Sequence, residues 1–288
     1  MLKKRVIAVL VVKDNIVVQS IGFRKYLPVG KPEIAVEFFT QWGIDEIILL
    51  DITASRMRRK PNFAMVRSIA KQCSVPLTVG GGITCLSDIH ELMHCGADKV
   101  SFNQAAFHSP GLIAEAARIF GDQSVVVSID VQKSGNDYHV YDYFTGQLQV
   151  YSPFEYATRI QAIGAGEILL NSVDRDGMKC GFDLELINAM SQTVKVPLIV
   201  CGGAGVPAHF LEVFDKTIAN AFAAANFFHF FEHSITITKA VISQNHVIRH
   251  ESHVLYQENI LDFRGRLMKK QDDILEKLFY LKIQKQEI

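Results

Sequence analysis

Eight short runs rich in Val, Ile and Leu, near residues 5–12, 46–51, 75–79, 98–102, 124–130, 167–172, 196–201 and 219–225, alternate with segments of helical periodicity such as "PEIAVEFFTQWG" and "GLIAEAARIFG". No other feature restricts the chain so strongly. The runs are apolar at consecutive positions, so both faces of each strand need cover, and a parallel sheet wrapped by helices supplies it. Eight strand–helix units in series close naturally into a (β/α)8 barrel, an α/β fold, and a doubly wound open sheet is the alternative. With 288 residues, 49% of them apolar, the chain has enough material for a core of that size. We assign residues 1–250 to the barrel. One connection is longer, from Asp130 to Glu167, and "DYHVYDYFTGQLQVY" within it reads as a β-hairpin turning at Thr145-Gly146. Past about His250 the alternation stops. Ile260, Leu267, Ile274 and Leu281 then recur every seven residues, which predicts an amphipathic helix over 257–284 inside a C-terminal extension, 251–288.

Charge and cysteine content exclude several classes of function. Lys plus Arg equals Asp plus Glu, 30 against 30, so no net field recruits nucleic acid or an anionic membrane. Neither a signal peptide nor a run of about 18–20 apolar residues is found, and a cytoplasmic location is expected. The five cysteines (Cys73, Cys85, Cys95, Cys180, Cys201) are odd in number and never spaced as CxxC, which points to reduced thiols rather than a disulfide frame or a cysteine zinc site. "HELMH", residues 90–94, matches the H-E-x-x-H zinc pattern in spacing. Its helix belongs to the outer layer of the barrel, away from the loops where barrel enzymes work, and no third ligand follows. His90 and His94 are therefore read as helix-surface residues, and no metal or cofactor is expected.

The chain also repeats itself. "VPLTVGGG" (75–82) returns as "VPLIVCGG" (196–203), and "LLDITAS" (49–55) is echoed by "LLNSVDRDG" (169–177). Two fused half-barrels would account for this. Backbone amides of a glycine turn, with no Cβ in the way, can wrap a phosphate, so two matched turns suggest a substrate phosphorylated at both ends. A glycine can also do no more than turn a tight corner.

These motifs, with "GADKVSFN", "GAGEILLNSVDRDGMKCGFDLEL", "CGGAG" and "FFHF", resemble those of the cyclase subunit of imidazole glycerol phosphate synthase from Met1 to about His250. The resemblance implies a heterodimer in which a class I glutaminase docks at the N-terminal face of the barrel and releases ammonia. The ammonia passes through the barrel to a phosphorylated small-molecule substrate, with no nucleic acid or membrane involved. It further implies phosphate binding by Gly82, Asn103, Asp176, Gly177, Gly203 and Asn226, the last standing where the family usually has serine. Arg5, Glu46, Lys99 and Glu167 correspond to the charged gate of the ammonia channel, and Asp98 to the residue facing the glutaminase. The four charges could equally form a structural ion cluster.

The chemistry is where the chain departs from that pattern. The family's acid/base pair is two aspartates; Asp130 is one, and Val11 stands in place of the other. Valine can neither give nor take a proton. Gln19 replaces a usual lysine and Asn171 a usual threonine. Three readings are open. The chain could use channelled ammonia on an altered substrate, such as a surface-polysaccharide sugar, the role attributed to divergent relatives. It could perform genuine imidazole glycerol phosphate synthesis with a displaced base such as Asp14. Or it could be a catalytically silent scaffold guiding ammonia to a third protein.

Overall fold

The computed structural model describes residues 3–230, 232–251, 254, 256, 262, 268–275 and 277. In chain order the strands and helices are β1 (Arg5–Lys13), β2 (Ile16–Ile21), β3 (Lys25–Gly30), α1 (Pro32–Gln41), β4 (Glu46–Asp51), α2 (Phe63–Ala70), β5 (Leu77–Gly80), α3 (Leu86–His94), β6 (Lys99–Phe102), α4 (Gln104–His108) and α5 (Pro110–Phe120). There follow β7 (Val125–Ser134), β8 (Asp137–Asp142), β9 (Gln147–Leu148), α6 (Pro153–Ile163), β10 (Glu167–Ser172), α7 (Leu184–Thr193), β11 (Leu198–Cys201), α8 (Pro207–Lys216), β12 (Ala221–Ala224), α9 (Ser234–Ser243) and α10 (Asp272–Leu275).

Strands β1, β4, β5, β6, β7, β10, β11 and β12 pair in that order, all parallel, and β12 returns to β1 through Arg5 opposite Ala221 and Ala8 opposite Ala224. That last pairing closes a (β/α)8 TIM barrel and rules out the open sheet. Strands β5 and β11 begin just after Pro76 and Pro197, which have no N–H to give to a ladder. Proline opens α1, α5, α6 and α8, where a missing N–H costs nothing, and Asn62, Ser152 and Asp183 cap α2, α6 and α7 through their side-chain oxygens.

Period-two alternation divides each strand between two cores. On β1, Val6, Ala8 and Leu10 face the helices, whereas Ile7 and Val9 face the barrel axis with Ile48, Val126, Leu169, Ile199, Ala221 and Ala223. Registers also display the twofold repeat. Ile7 lies opposite Glu46 and Val11 opposite Leu50, just as Val126 lies opposite Glu167 and Asp130 opposite Asn171. Val11 and Asp130 thus hold equivalent places in the two halves, as do Leu50 and Asn171.

The long fifth connection does form a hairpin, β8 with β9, and Gly146 takes the left-handed conformation its turn needs. A second hairpin, β2 with β3, follows β1. The chain enters it by a tight turn from β1 into β2, where Asp14 and Asn15 both sit at positive φ as a primed turn demands. Of the helix expected over 257–284, only the turn α10 and a few neighbouring positions are described; Ile260, Leu267 and Leu281 lie outside the described residues. Among the described residues no helix is long and apolar enough to cross a membrane.

Candidate active site

The C-terminal ends of the barrel strands surround a cavity of about 510 Å³. Asp130, Val11, Leu50 and Asn171 are among the residues lining it, and the β2–β3 and β8–β9 hairpins contribute Ser20, Phe23, Tyr26 and Tyr143. Arg56 crosses between loops, donating to the Tyr143 carbonyl.

Asp130 is 4% exposed. Its Oδ2 accepts from Asn103 Nδ2 at 2.9 Å and its Oδ1 from Asn171 Nδ2 at 3.4 Å. Burial raises its pKa to about 7, the two amide hydrogen bonds opposing that rise. A carboxyl that changes protonation near neutrality can both give and take a proton. The equivalent position opposite it carries only hydrocarbon, Val11 beside Leu50. One half of the floor is titratable and the other inert.

Asp51 and Arg59 were not among the residues expected from sequence, although Asp51 lies inside the repeated "LLDITAS". Asp51 is 5% exposed; Oδ1 accepts from Thr53 N, Thr53 Oγ1 and Ala54 N at 2.8–3.0 Å. Its Oδ2 stands 3.9 Å from Arg59 Nη2, and among the described residues neither that oxygen nor Arg59 Nε has a hydrogen-bond partner; both residues line the cavity. Buried polar atoms of that kind ask for a ligand or water.

The remaining expected residues fall into three places. Gly82 and Asn103 reach the cavity, together with Gly81 and Gln104. Asp176 lines its edge, while Gly177, Gly203 and Asn226 lie outside its lining. At the opposite end of the barrel, Arg5, Glu46, Lys99 and Glu167 form a closed square of alternating charge. Each carboxylate meets both cations, at 2.6 and 3.1 Å for Glu46 and 3.1 and 3.0 Å for Glu167, and Thr78 Oγ1 also donates to Glu46. Between square and cavity the axis is lined by the inner apolar cluster, with Ala221 and Ala223 leaving the least side chain. Asp98 is exposed near this end, where its Oδ2 accepts from Leu77 N at 2.8 Å and staples the start of β5. Asp45 does the same for Val6 and Asn220 for Leu198.

The histidines of "HELMH" do not converge. His94 Nδ1 contacts its own helix at the His90 carbonyl, the His90 ring packs edge-on against Phe120, and Glu91 pairs with Arg67 at 2.9 Å.

A family model described as histidine biosynthesis protein matches residues 5–234, from the start of β1 to the start of α9, which takes in all eight barrel strands. The chain belongs to this family. Among relatives, it is 43% identical over 240 residues to the imidazole glycerol phosphate synthase subunit HisF of Streptococcus sanguinis (strain SK36), covering 83% of this chain and 95% of that one. It is 41% identical over 245 residues to the HisF subunit of Pyrococcus furiosus, covering 85% and 97%. A Vibrio vulnificus (strain YJ016) protein, named provisionally as imidazole glycerol phosphate synthase subunit hisF2, is 44% identical over 267 residues, 92% of this chain and 98% of the relative. Membership of the histidine biosynthesis family thus rests on sequence, and the closed barrel agrees with it.

Proposed function

We propose that this chain is the ammonia-receiving, cyclase-type subunit of a cytoplasmic glutamine amidotransferase pair, acting on a phosphorylated or sugar substrate other than that of imidazole glycerol phosphate synthesis. The relatives named as HisF subunits support the cyclase-type assignment. The observation that carries the altered substrate is the asymmetric floor, Asp130 with Asn171 on one side and Val11 with Leu50 on the other. A class I glutaminase would dock at the N-terminal face near Asp98, and the ion square would be the gate through which ammonia enters. An uncharged molecule as small as ammonia can traverse an apolar axis that excludes ions. Asp130, protonating near neutral pH, would supply the remaining acid/base group.

The inert half of the floor also favours a second reading, a scaffold that conducts ammonia to a third protein. Val11→Asp separates these possibilities. A positioned acid or base contributes roughly 10²–10⁴-fold. With ammonia and the two-phosphate substrate of imidazole glycerol phosphate synthesis, the wild type is expected to be very slow. If only the carboxylate is missing, Val11→Asp gains turnover on that scale; if the pocket is remodelled for another acceptor, it stays inactive. Wild-type turnover equal to that of an ordinary HisF subunit defeats the altered-substrate reading.

A further inference from the structure

The two glycine turns are related by the repeat but differ in what covers them. Gly80 pairs with Ser101 and Cys201 with Ala223, so Gly82 matches Gly203, and Gln104 matches Asn226, three residues past the paired positions. Both amide side chains latch a hairpin on the neighbouring strand. Gln104 Nε2 donates to Asp142 Oδ1 at 2.8 Å, at the end of β8, and remains in the cavity wall beside an open Gly81–Gly82 turn.

Asn226 grips the other hairpin from both sides: its Oδ1 accepts from Ser20 N at 3.1 Å and its Nδ2 donates to Ser20 O at 2.5 Å. Asp176 then holds the hairpin tip. Ser20 Oγ and Phe23 N donate to its Oδ2, at 2.6 and 3.2 Å, and Gly22 N to its backbone oxygen at 3.0 Å. Phe23 is kept at φ 57°, a left-handed conformation that is unfavourable for an aromatic residue and persists only where the surroundings enforce it. The hairpin lies against the loop after β10 that borders the second turn: a Cβ added to Gly177 would stand 2.6 Å from Ser20 O and 3.0 Å from Ile21 Cα. By the same repeat, Asp176 corresponds to Ser55, whose shorter side chain accepts from Gly82 N at 3.2 Å and meets Tyr143 at the turn of the β8–β9 hairpin. The chain's own backbone crowds both Gly82 and Gly203, yet only the first turn lines the cavity; Gly177, Gly203 and Asn226 lie outside it.

We propose that the β2–β3 hairpin, latched by Asn226, closes the second phosphate position, so that the cavity accepts a sugar bearing one phosphate, seated at Gly82 and Arg59. Arg59 and Asp51 face each other as a loose ion pair at 3.9 Å, and within it the Nε N–H of Arg59 still has no acceptor, which suits an anion, and Asp51 Oδ2 no donor, which suits a ligand hydroxyl. This inference rests on reading the glycine turns as phosphate cradles.

Fructose 6-phosphate and fructose 1,6-bisphosphate differ only by the second phosphate and serve as probes in calorimetric titration of the full chain. The wild type is expected to bind them within about threefold of each other, and Arg59→Ala to weaken both at least tenfold. Asn226→Ser, which leaves the hairpin unlatched, should favour the bisphosphate at least tenfold; Asp176→Ser, copying Ser55 of the open half, gives an independent release should the first variant fold poorly. A tenfold bisphosphate preference in the wild type, an unchanged ratio in both variants, or binding of neither sugar overturns the proposal. Glutaminase docking, measured on the same preparations, reports on the proposed function separately, since it engages the opposite face.

Discussion

Asp130 and Val11 occupy equivalent positions, yet only one of them responds to pH. Because burial raises the Asp130 carboxyl to about 7, the folded protein holds a proton between about pH 4 and 7 that the unfolded chain has released. Stability should therefore fall as pH rises through that window, at up to about 1.4 kcal/mol per unit from this group. Asp130→Asn should remove that contribution and be more stable than the wild type at pH 8, with little difference at pH 4. Urea midpoints of both proteins at the two pH values check this; a wild type as stable relative to the variant at pH 8 as at pH 4 would contradict it.

At the scale of elements, α9 is tied to the barrel floor by a charge with no access to water. Lys239 is fully buried, and its Nζ donates to Gly43 O at 2.6 Å and to Asp45 Oδ1 at 2.7 Å, above the Tyr256 ring. Burial pushes the Asp45 carboxyl up, and Lys239 together with the Val6 amide pulls against that. Lys239→Ala would leave Asp45 buried and alone, at a cost of about 3–5 kcal/mol. Removing both charges in the Lys239→Met, Asp45→Asn double variant should cost less than Lys239→Ala alone. Thermal melts of the two variants measure the difference, and equal losses would mean the ion pair is not what joins α9 to β1 and β4.

Over the whole molecule, the cavity and the ion square stand at opposite ends of one apolar axis, so each can be perturbed without touching the other. Lys99→Ala should destabilise the barrel by roughly 3–5 kcal/mol, because Glu46, with its side chain 1% exposed, loses one of its two cations. Lys99→Met tests the gate with less disturbance of packing. Under the proposed function it alters glutamine-dependent turnover while leaving turnover with free ammonium unchanged. Asp98→Asn keeps the acceptor that staples Leu77 N and removes only the charge. Weakened glutaminase binding with an unchanged unfolding midpoint is expected, and co-purification with thermal melting reads both.

The barrel was legible in the sequence because its determinants are local and periodic. Runs apolar on both faces dictate a covered parallel sheet, and the duplicated glycine turns announce two halves. That Val11 stands where the family resemblance places a carboxylate was also visible in the sequence, on the strength of that resemblance. What no local pattern carries is which long-range partners a polar side chain acquires. Asn103 and Asn226 read alike as phosphate ligands, yet one turns its amide to Asp130 and the other locks onto Ser20, 206 residues away in sequence. The β2–β3 hairpin, the unpartnered atoms of Asp51 and Arg59, and the closure of β12 onto β1 likewise depend on chain segments that meet only after folding. Sequence alone determined the eight barrel strands and their order; tertiary structure decided which polar groups pair and which stay open, because hydrogen bonds across a barrel depend on register and loop path rather than on neighbouring residues.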